Sequence, residues 1–367
     1  MKIGILTWHK VVNHGAVLQA YALQSYLLGL GHDVVVLNYD RVIPASSHLS
    51  FRIKRIPQKI NRIISGKGCM IKSFLKEKDL LFSLFRDNYI HQGNYYNDEL
   101  GLDAVFIGSD QVFDLLSGYH PYMFGKGVKC KKIFSYAPCA AQTTISIFSK
   151  SNHKDEIVRN IHLFKGLSAR DSNTQNLLQY IRPDLNIPIT IDPVLLYGFE
   201  KEKKEWKCNN FLLGKKYIVI YAYHTYMDDK DEIAQIVKYA KLNDCITVAL
   251  GYRHAWCDLS VNANPQDFLS IIDTAHKVVT DTFHGTVFSI ICNTEFCTII
   301  RESNAGNSNK LGYLLSQFQL EARAAKTTNN IFDVLCCDMD WTKTNQLLEK
   351  FRAESKYYIK NCLAYDK

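Results

Sequence analysis

Short apolar runs alternate with stretches of helical period along most of this 367-residue chain. Lys2–Thr7 is a nearly continuous apolar run, the pattern of a strand covered on both faces. A polar turn over Trp8–His14 leads into Gly15–Leu28, where Ala16, Leu18, Ala20, Leu23 and Leu27 mark a helix. Gly29 and Gly31 stop it, and Asp33–Tyr39 reads as the next buried strand. The same alternation predicts strands over Asp103–Gly108, Lys132–Tyr136, Leu167–Ala169 and Ile189–Ile191, with helices over Asp155–Phe164 and Ser172–Tyr180.

The charged, glycine-containing stretch 198–216 breaks this rhythm and reads as a connection between domains. Beyond it, strands are expected over Tyr217–Tyr223, Ile246–Gly251, Lys277–Thr280 and Phe296–Ile300. Helices are expected over Asp229–Leu242, Pro265–Asp273 and Gly285–Asn293, and a long one within Asp338–Lys367. The pattern is that of an α/β protein with two doubly wound, Rossmann-like domains facing a cleft. The N-terminal domain spans 1–197 and the C-terminal domain 217–340, with the C-terminal helix over 341–367. Ligand groups in such sheets collect in the loops that follow strand C-termini.

Composition and charge change this picture in two places. Hydrophobic residues make up 47% of the chain and charged ones 22%, which excludes a disordered protein. The net charge of +8 is concentrated in Arg41–Lys78, where ten lysines and arginines face one acid, Glu77, and the rest of the chain is close to neutral. So local an excess argues for one electropositive face and against a general nucleic-acid-binding surface. Within it Phe51, Ile53, Ile56, Ile60, Ile63 and Ile64 recur at roughly helical spacing. Residues 51–64 read either as an amphipathic helix in peripheral contact with an anionic membrane or as a solvated helix or lid over the cleft. The eleven cysteines are scattered without a CxxC pair, and no run is apolar enough for a secretory leader or a membrane span. The expectation is a cytoplasmic protein with reduced thiols, peripheral at the inner face of the membrane if 51–64 binds lipid.

Four polar or glycine-bearing segments directly follow apolar strands. In HKVVNHG, Asn13 can cap the helix that follows, and the free N–H groups around Gly15 suit a phosphate or carboxylate. GSDQVF offers the Ser109 hydroxyl and the Asp110 carboxylate to a sugar, or else serves as a tight turn with a cap. In LSARD, Arg170 emerges at a strand end, where a guanidinium grips a carboxylate or phosphate in two places. Its alternative is a structural pair with Asp171 or Asp192. TDTFHGT places His284 in the first turn of a helix, with Asp281, Thr282 and Thr286 nearby and Gly285 permitting close backbone approach. That setting suits a general acid that becomes active once an anionic substrate is bound. None of the twelve histidines falls in a metal-binding pattern, and no metal is expected.

Taken in order, N-x-GA-x-L-x-A-Y-A-L (Asn13–Leu23), GSDQVF (Gly108–Phe113), SYAPC (Ser135–Cys139), SARD (Ser168–Asp171), IDPVLL (Ile191–Leu196) and TDTFHG (Thr280–Gly285) closely resemble the polysaccharide pyruvyl transferase family. The resemblance runs from about residue 1 to about residue 320. It implies a fold similar to the two-domain glycosyltransferase B type. It also implies transfer of the enolpyruvyl unit of phosphoenolpyruvate onto two hydroxyls of one sugar, giving a cyclic ketal and phosphate. The acceptor would be a polysaccharide sugar or its lipid-linked precursor, and phosphoenolpyruvate a co-substrate, with no cofactor. The family's donor-binding arginine maps onto Arg170 and its catalytic histidine onto His284. Some relatives carry a further arginine where this chain has Thr282, so Arg301 and Lys310 are the candidates for the second positive contact. Phe113 stands where the family usually has tryptophan.

The donor's two anionic groups call for arginine, lysine and helix N-termini, and protonation of its C3 calls for a general acid, which His284 supplies. Asp110 is the first candidate to take the proton of the attacking hydroxyl, with Asp281 and Asp192 behind it. Two readings from other classes stand beside this one. They are a nucleotide-sugar-dependent glycosyltransferase of the same architecture and a carbohydrate-binding protein that keeps only the fold.

Overall fold

A computed structural model describes residues 1–40, 67–206, 212, 214–223, 227–301, 305–325 and 330–365. The stretch 51–64 therefore lies outside the described residues. The first sheet contains β1 (Lys2–Leu6), β2 (Asp33–Asn38), β3 (Gln92–Tyr95), β4 (Ala104–Ile107), β5 (Ile133–Ser135) and β6 (Phe164–Gly166). Its spatial order is β3-β2-β1-β4-β5-β6, with every neighbouring pair parallel. The second sheet contains β7 (Tyr217–Tyr221), β8 (Ile246–Leu250), β9 (Leu259–Val261), β10 (Lys277–Thr280), β11 (Phe296–Ile299) and β12 (Ala324–Ala325). It is also parallel throughout, in the order β12-β11-β10-β7-β8-β9. Numbered from its own first strand this is the same winding, so each sheet has one switch point, between β1 and β4 and between β7 and β10. Loops at those two places diverge and leave a crevice.

The helices that shape the crevice are α1 (His14–Gly29), α2 (Lys67–Tyr89), α3 (Ser172–Ile181), α4 (Pro193–Tyr197), α5 (Lys230–Leu242), α6 (Pro265–Asp273), α7 (Phe283–Cys292), α8 (Ala305–Gln317) and α9 (Trp341–Leu363). The Asn13 side chain accepts the Ala16 N–H at 3.1 Å and so caps α1. Thr282 caps α7 through the Gly285 N–H at 2.9 Å, and Asn293, at φ 50, ends it. Both cap types satisfy N–H groups that a helix leaves orphaned in its first turn.

The two domains are not separate bodies joined by a linker. Ile3, Val17 and Leu23 from the first belong to one continuous apolar cluster with Val219, Phe268 and Phe288 from the second. His14, at the start of α1, reaches across: its Nε2 meets the Ala263 carbonyl at 2.9 Å and its ring stacks on Phe268 at 4.3 Å. Burial, aided by the charge of Lys78, holds His14 well below the usual imidazole range, so it is a neutral interface residue. Lys78, counted with the basic segment, is itself buried and donates to the Gly251 carbonyl at 2.8 Å. It helps join the domains instead of adding to a basic face. Helix α9 returns to the first domain, where Tyr358 donates to the Ser135 carbonyl at 2.8 Å and Arg352 to that of Leu195 at 2.7 Å.

The expected strands agree in the sheet centres and differ at the edges. Leu167–Ala169 and Ile189–Ile191 meet only at a single bridge between Ala169 and Ile189. The sixth strand instead covers Phe164–Gly166, just after the expected helix, which spans Lys154–Ile161. Among the described residues no helix is long and apolar enough to cross a membrane.

Candidate functional site

The site is assembled where the two switch points face each other. From the first domain come the loop after β1, the turn after β4, the turn after β6 and the Asp192 cap of α4. From the second come the first turn of α7 and helix α8. They enclose a cavity of about 420 Å³, whose wall includes Asn13, Asp110, Arg170, Thr282, His284 and Lys310.

Four backbone turns fix these groups. Asp110 follows β4 at φ 68, and its backbone pairs with Pro138 in a single bridge. Its carboxylate lies 3.9 Å from Arg170 Nη2. Arg170 donates its backbone N–H to the Pro138 carbonyl at 3.0 Å, while Asp171 next to it caps α3. The Arg170 guanidinium lies over the Phe283 ring at 4.1 Å and donates from Nη1 to Asp192 at 2.9 Å. Asp192 also accepts the Val194 N–H at 3.0 Å and the Ser109 hydroxyl at 3.3 Å. Its Oδ2 stands 3.6 Å from Nε2 of His284, so the histidine of one domain faces a carboxylate of the other.

The pair with Arg170 is the structural alternative that the sequence offered for this arginine, whereas the approach of Asp192 to His284 had no signal in the sequence. Burial alone would push Asp192 up, but the facing imidazolium of His284 and the charge of Arg170 outweigh it and hold the group at about 2. An ionised Asp192 therefore faces Nε2 of His284 across the domain boundary. Arg170, although buried, is held above its usual value because the acidic groups around it, Asp192 and Asp110 among them, outweigh desolvation. Lys310 is lowered, chiefly by burial and further by Arg170.

Among the described residues, three buried nitrogens here have no hydrogen-bond acceptor: Nε and Nη2 of Arg170 and Nε2 of His284. Buried donors are rarely left unpaired, and three converging beside Lys310 and two helix N-termini suit an anionic ligand with several oxygens.

Other expected site residues lie behind this wall. A Cβ built on Gly15 would overlap the His284 ring, so Gly15 permits the histidine's approach, and it is not among the residues that line the cavity. A Cβ on Gly285 would overlap the Thr280 hydroxyl, so that glycine serves the turn. Ser109 is fully buried and divides its hydroxyl between the Ala137 carbonyl, at 2.9 Å, and Asp192; it positions the carboxylate instead of meeting a sugar. Thr282 does face the cavity, yet its hydroxyl is committed to capping α7 and to Thr280 at 2.9 Å.

Arg301 is placed elsewhere. It grips Glu232 in two places, at 2.8 and 2.9 Å, and stands 3.5 Å from Asp281. Of the two candidates for a second positive contact, only Lys310 lines the cavity. Residues not singled out from the sequence also line it, among them Trp8, Asp114, His120 and Tyr223. Trp8 was legible as a large aromatic directly after β1; the other three sit in irregular loops without a pattern.

Burial dominates at Asp281 and raises it to about 6, against the opposing pull of Arg301, whose charge Glu232 already shares. The folded value lies above the unfolded one, so this group's contribution to stability is complete below about pH 4. It then falls as the pH rises through about 6, the value at which Asp281 is half ionised in the folded state. Denaturant unfolding across that window is expected to show the decline, and Asp281→Asn to flatten it. A variant that declines as steeply as the parent would contradict the assignment.

The family model of polysaccharide pyruvyl transferases matches residues 13–303. None of the curated proteins matches the chain in sequence. Among solved structures, UDP-bound MnaA of S. aureus is similar with a TM-score of 0.53 at 11% identity, over 98% of this chain and 97% of its own. UDP-GlcNAc 2-epimerase of Neisseria meningitidis bound to UDP-GlcNAc gives 0.52 at 11% identity, over 99% of each chain. At such identities these likenesses concern the fold, which is the two-domain glycosyltransferase B type.

Proposed function

Because the chain belongs to the polysaccharide pyruvyl transferase family, we propose that its cavity binds phosphoenolpyruvate and transfers its three-carbon unit to two hydroxyls of one acceptor sugar. The observation that carries this reading is that, among the described residues, Nε and Nη2 of Arg170 and Nε2 of His284 lack a hydrogen-bond acceptor, while both side chains line one cavity with Lys310. A ligand with a carboxylate and a phosphate can answer them with charged oxygens next to Arg170 and Lys310, which a neutral sugar lacks.

In the proposed reaction, Arg170 and Lys310 hold the donor's anionic groups, and the imidazolium of His284 gives its Nε2 proton to C3. The C2 that becomes electron-deficient is attacked by the first hydroxyl, whose proton passes to Asp110 and restores the histidine's supply. The bond from C2 to the phosphate oxygen then breaks. The second hydroxyl adds to C2, and its proton leaves with the phosphate. Atoms balance: two O–H bonds are lost, one C–H bond forms, and phosphate departs protonated. Asp192 remains ionised throughout and stays facing the ring of His284.

The reading is tested by acceptor-dependent release of phosphate from phosphoenolpyruvate. Within that assay Arg170→Lys keeps the charge that Asp192 needs but loses the planar fork. It is expected to raise the KM for phosphoenolpyruvate by roughly tenfold to a hundredfold, the worth of one or two charge-assisted bonds. An unchanged KM would remove Arg170 from the donor site.

A further inference from the structure

A second cavity, of about 430 Å³, opens on the same edge of the first sheet as the reaction cavity. Asp40, just past β2, and Tyr95, the last residue of β3, line it together with Tyr96, Asp98 and Tyr122. The reaction cavity lies over β1 and β4, and this one over β2 and β3. With strands spaced about 4.8 Å apart, the two centres are separated by roughly 10 Å, the span of about two linked hexose rings.

An aromatic wall joins them. Trp8 lines the reaction cavity and meets His120, from the same wall, edge-on at 4.9 Å. On its other side Trp8 packs against Tyr39 at 5.3 Å and Tyr122 at 6.5 Å. Tyr122 stacks on Tyr39 at 5.5 Å and leans on Tyr96 at 5.1 Å. Tyr95, 40% exposed, stands at the far end and donates its hydroxyl to Asp40 at 3.1 Å. Asp98 accepts the Tyr95 N–H at 3.0 Å.

Phenol rings with apolar faces beside the carboxylates of Asp40 and Asp98 and the carboxamide of Asn97, which also lines the cavity, suit a ligand that is apolar on its C–H faces and rich in hydroxyl donors around its rim. The charges beside it are the carboxylates of Asp40 and Asp98 and the Lys10 ammonium, which lies 5.5 Å from the Tyr95 ring and donates to the Tyr39 carbonyl at 3.3 Å, so the cavity lacks the excess of positive charge that a phosphate calls for. Building on the pyruvyl-transfer reading, we infer that this cavity holds a neutral sugar of the acceptor chain, about two residues away from the one that receives the ketal. The enzyme then recognises an oligosaccharide segment and not a lone sugar.

Binding without phosphoenolpyruvate tests this independently of turnover. The probes are gluco-, galacto- and manno-oligosaccharides from mono- to tetrasaccharide, titrated calorimetrically into the full chain. In at least one series affinity is expected to rise roughly tenfold by the trisaccharide, about what one good aromatic contact contributes. Tyr95→Ala and, separately, Tyr96→Ala should lose that gain while binding the monosaccharide as the parent does. Affinity that does not grow with length in any series, or grows equally in both variants, overturns the inference. Length-dependent binding that Tyr95→Ala abolishes, without any phosphate release from phosphoenolpyruvate, supports the saccharide site and contradicts the transfer chemistry instead.

Discussion

Replacing His284 with alanine is expected to lower kcat for pyruvyl transfer by about 10²–10⁴, the usual contribution of a positioned proton donor. The effect should be confined to the chemical step. His284 is held by contacts along its ring, and its removal leaves Asp192 still bonded to Arg170, Ser109 and the Val194 N–H. No buried charge is stranded, so the thermal midpoint should move little. Affinity for phosphoenolpyruvate, measured by calorimetry, should fall by much less than kcat, because one donor is lost while Arg170 and Lys310 are untouched. A folded His284→Ala variant with parental turnover would exclude the histidine as proton donor.

The second large effect is expected from Gly15→Ala, a change of one methyl group in the other domain. That methyl would occupy space now held by the imidazole of His284, so either helix α1 or the ring must give way. Helix α1 is held fast by His14, which is bonded to Ala263 and stacked on Phe268 across the interface. The ring therefore moves, away from its 3.6 Å contact with Asp192. A displacement of about 1 Å in a reacting group can cost on the order of a hundredfold in rate. We expect a loss of that size in kcat, with donor binding retained and the circular dichroism spectrum unchanged. Parental kcat in a folded Gly15→Ala protein would mean that the histidine's approach to the first domain is incidental to catalysis.

These two residues also mark how far the sequence could be read. The apolar runs identified the central strands of both sheets, because a strand buried on both faces needs hydrophobic residues at every position. They did not reveal β3, β9 or β12, which are short edge strands; β3, Gln92–Tyr95, has mostly exposed side chains and so carries no alternation. Arg170 and His284 were legible through their motifs, and Lys310 as a candidate shared with Arg301. Choosing between those two required Glu232, which lies 69 residues from Arg301 in sequence. Gly15 was legible as a glycine near a helix start, where an anion contact is the simpler reading. Its true neighbour, His284, comes from the other domain, and no local pattern reports an interdomain approach. Asp192 was legible as a turn residue before Pro193, and it does cap α4. That the same carboxylate faces His284 is a property of the assembled domains.

The identity of the proton donor and that of the donor substrate meet in one product. Incubation with phosphoenolpyruvate and a neutral oligosaccharide in deuterium oxide, followed by mass spectrometry and phosphate assay, reads both. The expected product is an acceptor carrying a pyruvate ketal whose methyl group holds one solvent deuterium, formed in step with phosphate release and absent with His284→Ala. Failure to form a ketal with any acceptor, alongside sugar transfer from a nucleotide-linked donor, would contradict the account at its centre.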